Sequence, residues 1–191
     1  MAHLSYIIEE GVYYMKRPRF IICVLLLLLS LPLQASVFSA NKWYAGVQVG
    51  PEFLTSHTDE NWDDAVAFGI YGGYRLDSQL SLEGSLTTAR HDGNGDSDLD
   101  ITSILFGPRI SGYVNRNVEI YGDAGLGIDF IDYNYGPYDD SYTRSGLYLG
   151  AGIAFPIQST IKLGLDFKYQ ALFSNDPINS DIITLLVRFG F

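Results

Sequence analysis

From Trp43 onward, apolar side chains return at every second position rather than at the three-to-four-residue spacing of a helical stripe. That period predicts strands with one apolar and one polar face. The C-terminus is the cleanest case, with Ile183, Leu185, Val187, Phe189 and Phe191 on one face and Thr184, Leu186, Arg188 and Gly190 on the other. Upstream, Ile161, Leu163, Leu165, Phe167 and Tyr169 alternate with Lys162, Gly164, Asp166, Lys168 and Gln170. Val118, Ile120, Ala124, Leu126, Ile128 and Phe130 oppose Glu119, Tyr121, Asp123, Gly125, Gly127 and Asp129. Another strand sets Leu80, Leu82 and Leu86 against Ser81, Glu83, Ser85 and Thr87, and segments 43–54, 65–76, 99–113 and 145–155 complete eight. Connections alternate between short (77–79, 115–117, 156–160) and long (55–64, 91–98, 131–144, 173–181). A membrane barrel with tight periplasmic turns and longer external loops has this asymmetry.

Ahead of the strands, Met15-Lys16-Arg17-Pro18-Arg19 precedes an apolar run from Phe20 to Leu33, broken only by Ser30 and Pro32, and then small residues up to Ala40. This reads as a secretory signal peptide over 15–40, cleaved near 35–40. At 1.5 Å per residue the run extends about 21 Å, short of a hydrocarbon core of about 30 Å. Residues 1–14, with Glu9 and Glu10 in front of the basic cluster, are expected to be an extension ahead of the true start at Met15. The mature domain is then 41–191. Mean hydropathy of only +0.09 excludes a bundle of transmembrane helices. The single cysteine, Cys23, lies in the signal, so thiol chemistry is excluded. Beyond Ala35, 9 Lys and Arg face 20 Asp and Glu, a formal charge of −11, and nucleic acid is excluded as a partner.

Which face meets lipid follows from the polar positions. These include Arg75, Arg109, Lys162, Lys168 and Arg188 together with Glu83, Glu119, Asp123, Asp129 and Asp166. Facing lipid near the midplane, each Lys or Arg would cost about 2–4 kcal/mol, whereas inside a narrow lumen the two signs can pair. The reading is therefore an all-β, eight-stranded antiparallel transmembrane β-barrel in an outer membrane. A soluble lipocalin-like barrel is the reverse arrangement. Eight strands leave an interior that side chains fill, with Gly125, Gly150, Gly152, Gly164 and Gly190 offsetting Tyr71, Tyr121 and Tyr148. Arg188 is expected to pair with Asp166 or Glu52 on adjacent strands, or with Glu83 or Glu119 across the lumen.

Phe68-Gly69-Ile70-Tyr71-Gly72-Gly73-Tyr74-Arg75-Leu76, followed by Leu80-Ser81-Leu82-Glu83-Gly84, resembles the small OmpA-like and OmpX-like outer-membrane β-barrel proteins. Thr184-Leu185-Leu186-Val187-Arg188-Phe189-Gly190-Phe191 is similar to that family's C-terminal assembly signal. The resemblance spans 43–191. It implies outer-membrane lipids and lipopolysaccharide as surroundings, barrel assembly machinery during biogenesis, and a host or surface ligand met through the loops. It also implies a family of anchors, adhesins and resistance proteins, here without a peptidoglycan-binding domain.

Candidate chemistry is sparse. The His-x-Ser of lipid A deacylases has no match, since His57 precedes Thr58-Asp59 and His91 precedes Asp92-Gly93. His57, Asp96 and Ser97 resemble the loop trio of a palmitoyltransferase, but an acyl chain needs an apolar lumen and this one reads as charged. Asp92, Asn94, Asp96, Asp98 and Asp100 alternate like calcium ligands, although the sixth position is Ser97 and the twelfth Ser103. Asp59, Glu60, Asp63, Asp64, Asp139 and Asp140 add to an acidic outer rim. Tyr133, Tyr135, Tyr138 and Tyr142 suit either an adhesive loop or the lipid headgroup boundary, where Trp43 and Tyr44 are also placed. No catalytic, cofactor or metal residue is assigned. The expected function is a non-enzymatic barrel serving envelope integrity or surface adhesion. The rivals are a palmitoyltransferase-like enzyme and a small-solute porin-like channel.

Overall fold

The computed structural model describes residues 42–56, 62–93, 97–135, 138–173 and 178–190. The expected signal peptide, the extension before it and Phe191 lie outside these. Eight strands follow in order: β1 (Trp43–Ser56), β2 (Ala65–Arg75), β3 (Leu80–Asp92), β4 (Ser97–Asn115), β5 (Val118–Tyr135), β6 (Tyr138–Pro156), β7 (Ile161–Leu172) and β8 (Ile178–Gly190). Each pairs antiparallel with the next, and β8 closes on β1. The paired residues can be followed once around the barrel, from Ala45 through Gly72, Gly84, Phe106, Leu126, Leu147, Ala171 and Asn179 to Thr55, ten residues further along β1. With strands about 4.8 Å apart and a rise of about 3.3 Å per residue, this stagger tilts the strands by about 40°.

The pleat carries out the alternation read from the sequence. Val47, Phe68, Ile70, Phe106, Leu126, Leu165 and Leu185 are exposed on the outside, while Glu83, Arg109, Glu119, Asp123, Lys162, Lys168 and Arg188 are buried inside. On β5 the outer apolar row runs from Ile120 to Phe130 before Asp132 ends it, a rise of about 25 Å, which matches the lipid-contact band of an outer-membrane barrel. Proline cannot donate to a ladder. Pro51 and Pro108 accordingly sit where pairing with β8 and β5, respectively, skips two residues.

The short turns are held by their own side chains. The Asp77 carboxylate accepts the N–H groups of Gln79 and Leu80, both at 2.7 Å, and Asn115 Oδ1 accepts the Asn117 N–H at 2.8 Å. The long connections differ from expectation. The ladder between β5 and β6 continues through Tyr135↔Tyr138, so most of 131–144 is hairpin rather than loop. Likewise β3 runs to Asp92 and β4 begins at Ser97. Beyond the lipid band the outer face of these strands is polar, so backbone pairing persists where the outward hydrophobic row has stopped.

Candidate functional site

The inner half of the lumen is a layer of paired charge. Arg109 Nη1 donates to Glu83 Oε2 at 2.6 Å, and the Tyr44 hydroxyl donates to the same carboxylate at 2.9 Å. Glu119 receives Lys162 Nζ at 2.5 Å and Arg188 Nη1 at 3.3 Å, and Lys162 also donates to the Tyr113 hydroxyl at 2.7 Å. Lys168 Nζ lies 3.1 Å from Asp166. The Arg109 guanidinium stacks 3.3 Å from the centre of the Tyr121 ring, and Arg188 lies within 6 Å of the Tyr44, Tyr71 and Tyr121 rings. In this way the layer is assembled from β1, β2, β3, β4, β5, β7 and β8.

Strand β6 contributes absence of bulk instead. A Cβ on Gly152 would fall 2.2 Å from Tyr121 Cζ, and one on Gly150 would fall 2.0 Å from Asp123 Oδ1. Asp123 therefore lies across Gly150 on its way to Lys168, the residue paired with Gly150 on β7. The same rule holds elsewhere: Tyr44 lies over Gly73, Tyr71 over Gly46 and Tyr148 over Gly125, each glycine being the ladder partner of its tyrosine. Gly125 and Gly152 were legible from the sequence as space for tyrosine. Gly46 and Gly73 were missed, and the signal that finds them is register, not composition.

Several expectations change. Of the four partners named for Arg188, the structure selects Glu119, across the lumen, over Asp166 and Glu52 on the adjacent strands. Arg75 is only half-buried at the inner end of β2, 5.8 Å from the Tyr44 ring. Trp43 is 62% exposed on the outside and packs on Tyr74, but Tyr44, placed at the headgroup boundary by sequence, is 3% exposed inside the lumen. Nor is the lumen charged along its length. Its outer third is closed by Leu99, Ile101, Ile131 and Leu172, with Leu54, Trp62 and Tyr133 packed against them. Between the two layers, Gln170 Nε2 donates to Asp129 at 2.9 Å and Gln48 Nε2 to Thr87 Oγ1 at 2.8 Å.

Above the lipid band β4, β5 and β6 form a polar outer face. Asp100 and Asp132 are directly opposed, and a cleft of about 330 Å³ is lined by Asp100, Asp132, Tyr133, Asn134, Asp140 and Ser141. The spacing read as a calcium loop is here the period of a strand: Asp98 and Asp100 lie on the outer face of β4, and Arg90 ion-pairs with both. Among the described residues no three His, Cys, Asp or Glu side chains are grouped to hold a metal ion. Of the enzyme-like trio, His57 and Asp96 lie outside the described residues, and Ser97 is buried. Strand β6 pairs with β7 only from Gly146 onward, apart from a bond from Phe173 N–H to the Ser145 carbonyl. Among the described residues, 138–143 of β6 therefore pair along the backbone only with β5.

Compared with known proteins, residues 21–191 match the family model described as outer membrane protein beta-barrel domain. No curated protein sequence matches. The crystal structure of Neisserial surface protein A superposes with a TM-score of 0.66 at 17% identity, covering 78% of this chain and 97% of that one. Outer membrane protein OprG of Pseudomonas aeruginosa gives 0.58 at 12% identity, covering 80% and 96%. The attachment invasion locus protein of Yersinia pestis, in complex with the heparin analogue sucrose octasulfate, gives 0.56 at 17% identity, covering 78% and 99%.

Proposed function

The chain belongs to the outer membrane protein β-barrel domain family, and from that premise we propose that it is a non-enzymatic surface barrel that supports the envelope and engages surface partners through its outer strand extensions. One observation carries this reading. Strands β4 to β6 continue past the lipid band with a polar outer face, and among the described residues 138–143 of β6 are joined by backbone pairing to β5. A polar outer face held above the lipid, at the edge where the ladder from β6 to β7 has ended, is suited to contact with another molecule. That face carries Asp98, Asp100 and Asp132, so charge favours a neutral or cationic partner over a polyanion such as the sucrose octasulfate in the Yersinia complex.

The chain sits in the cell outer membrane, with lipid and lipopolysaccharide around its apolar band. The rival acyltransferase reading gains nothing from Ser97, which is buried. The test compares the intact chain with a variant in which residues 133–140 are replaced by an Asn-Gly turn. Cells bearing each are assayed for retention on surfaces coated with extracellular-matrix protein, and the lipid A mass profile of a deletion strain is recorded. Retention should fall on trimming while folded barrel persists and lipid A is unchanged. Equal retention, or an altered lipid A profile, overturns the reading.

A further inference from the structure

At the outer mouth the chain folds back into its own barrel. Trp62 packs on the apolar layer of Leu99, Ile101, Ile131 and Leu172, and meets Tyr133 edge-on at 5.3 Å between ring centres. It fits because residue 93 is glycine: a Cβ there would fall 2.5 Å from Trp62 Cζ3. Two bonds fasten the segment just behind it. The Asp63 N–H donates to the Asp92 carbonyl at 2.9 Å, and His91 Nδ1 lies 2.9 Å from the Asp63 carbonyl. Because a carbonyl only accepts, Nδ1 carries the proton and donates it, leaving Nε2 as the site that takes up a further proton. His91 has no exposed surface, and its Nε2 has no hydrogen-bond partner among the described residues.

We propose that residues 62–64 are a lid on the outer mouth, latched by neutral His91 and released when His91 Nε2 takes a proton from water. Protonation creates an N–H carrying charge in a place where the described residues offer it no acceptor, and lifting the lid brings the imidazolium to water. Among the described residues the charges facing His91 are Asp64 from the lid and Asp92 from β3, while β4 opposes it with Leu99. Both carboxylates belong to exposed residues and are screened by solvent. Burial outweighs their attraction and that of the Asp63 carbonyl, and holds the imidazole below its ordinary pKa of 6.5. The lid-down state is therefore fully favoured above the ordinary histidine value and weakens as pH falls through the depressed one. Tyr133 belongs both to this packing and to the outer strand extensions, but the test leaves those extensions intact and reads only His91, Trp62 and Asp63, so the two readings fail separately.

The chain has two tryptophans, so a Trp43→Phe background isolates Trp62. In phosphatidylcholine vesicles its emission should be shielded from iodide at pH 7.5 and become accessible reversibly toward pH 5, with the strand signal in circular dichroism unchanged. In His91→Gln, which lacks the titrating nitrogen but keeps an amide donor, shielding should persist at both values. In the unsubstituted chain, the protection factor of the Asp63 amide against hydrogen exchange should fall over the same range. Equal shielding of Trp62 at both pH values, a transition that survives His91→Gln, or an unchanged Asp63 protection factor would each overturn the proposal.

Discussion

Arg188, 3% exposed and 3.3 Å from Glu119, shows what one lumen charge is worth. Breaking a buried pair by removing one partner leaves the other charge stranded, at a cost of about 3–5 kcal/mol. Arg188→Met should lose that much in equilibrium unfolding from lipid vesicles. Adding Glu119→Gln should recover part of it, only part because Lys162 then loses the same carboxylate. Adding Asp166→Asn should recover nothing, since Asp166 is held by Lys168. The inward aim of Arg188 was legible because Val187 and Phe189 on either side belong to an apolar row. Its partner was not legible: β5 lies across the barrel from β8, and only the ten-residue stagger brings Glu119 to the height of Arg188. Tyr44 was misplaced for a related reason, as residue type suggests a headgroup tyrosine while the pleat turns it inward beside Glu83.

Within the strands, tyrosine and glycine form a cross-strand unit. Gly152→Ala would press a methyl against the Tyr121 ring and to within 2.6 Å of the Leu165 carbonyl, and overpacking of this kind costs about 1–3 kcal/mol. Gly72→Ala faces lipid, with nothing nearer than the Tyr44 carbonyl oxygen at 3.4 Å, and its unfolding midpoint should hardly move. The turn between β2 and β3 carries a different dependence. Backbone N–H groups of Leu80 and Gln79 hold the Asp77 carboxyl below its ordinary pKa of 3.8. Its ionised form therefore supports the turn above that value, and the support is lost as pH falls through the lowered one. Asp77→Ala should slow refolding into vesicles at pH 7, and the difference from the parent chain should shrink as pH falls below 3.8. Eight strands and their facing were readable from period-two alternation, and so were the three short turns. The extended β5–β6 hairpin was not, because Asp132, Asn134, Ser141 and Thr143 carry no apolar signal although their backbone pairs as regularly as in the membrane.

For the whole molecule, the account rests on a barrel closed twice, once by ion pairs braced with tyrosine rings and once by apolar side chains beneath Trp62. The first closure was legible as an excess of inward charge. The second was not, because Leu99, Ile101, Ile131 and Leu172 lie in or beside segments expected to be loops, where their common facing is invisible. Eight strands enclose an interior about wide enough for side chains to fill, so the two layers are expected to block a water path. The most direct test is single-channel recording of the purified chain in a planar bilayer at neutral pH. The account predicts at most small, infrequent steps. A large, steady current would contradict it, showing that the charged layer and the apolar layer do not close the lumen.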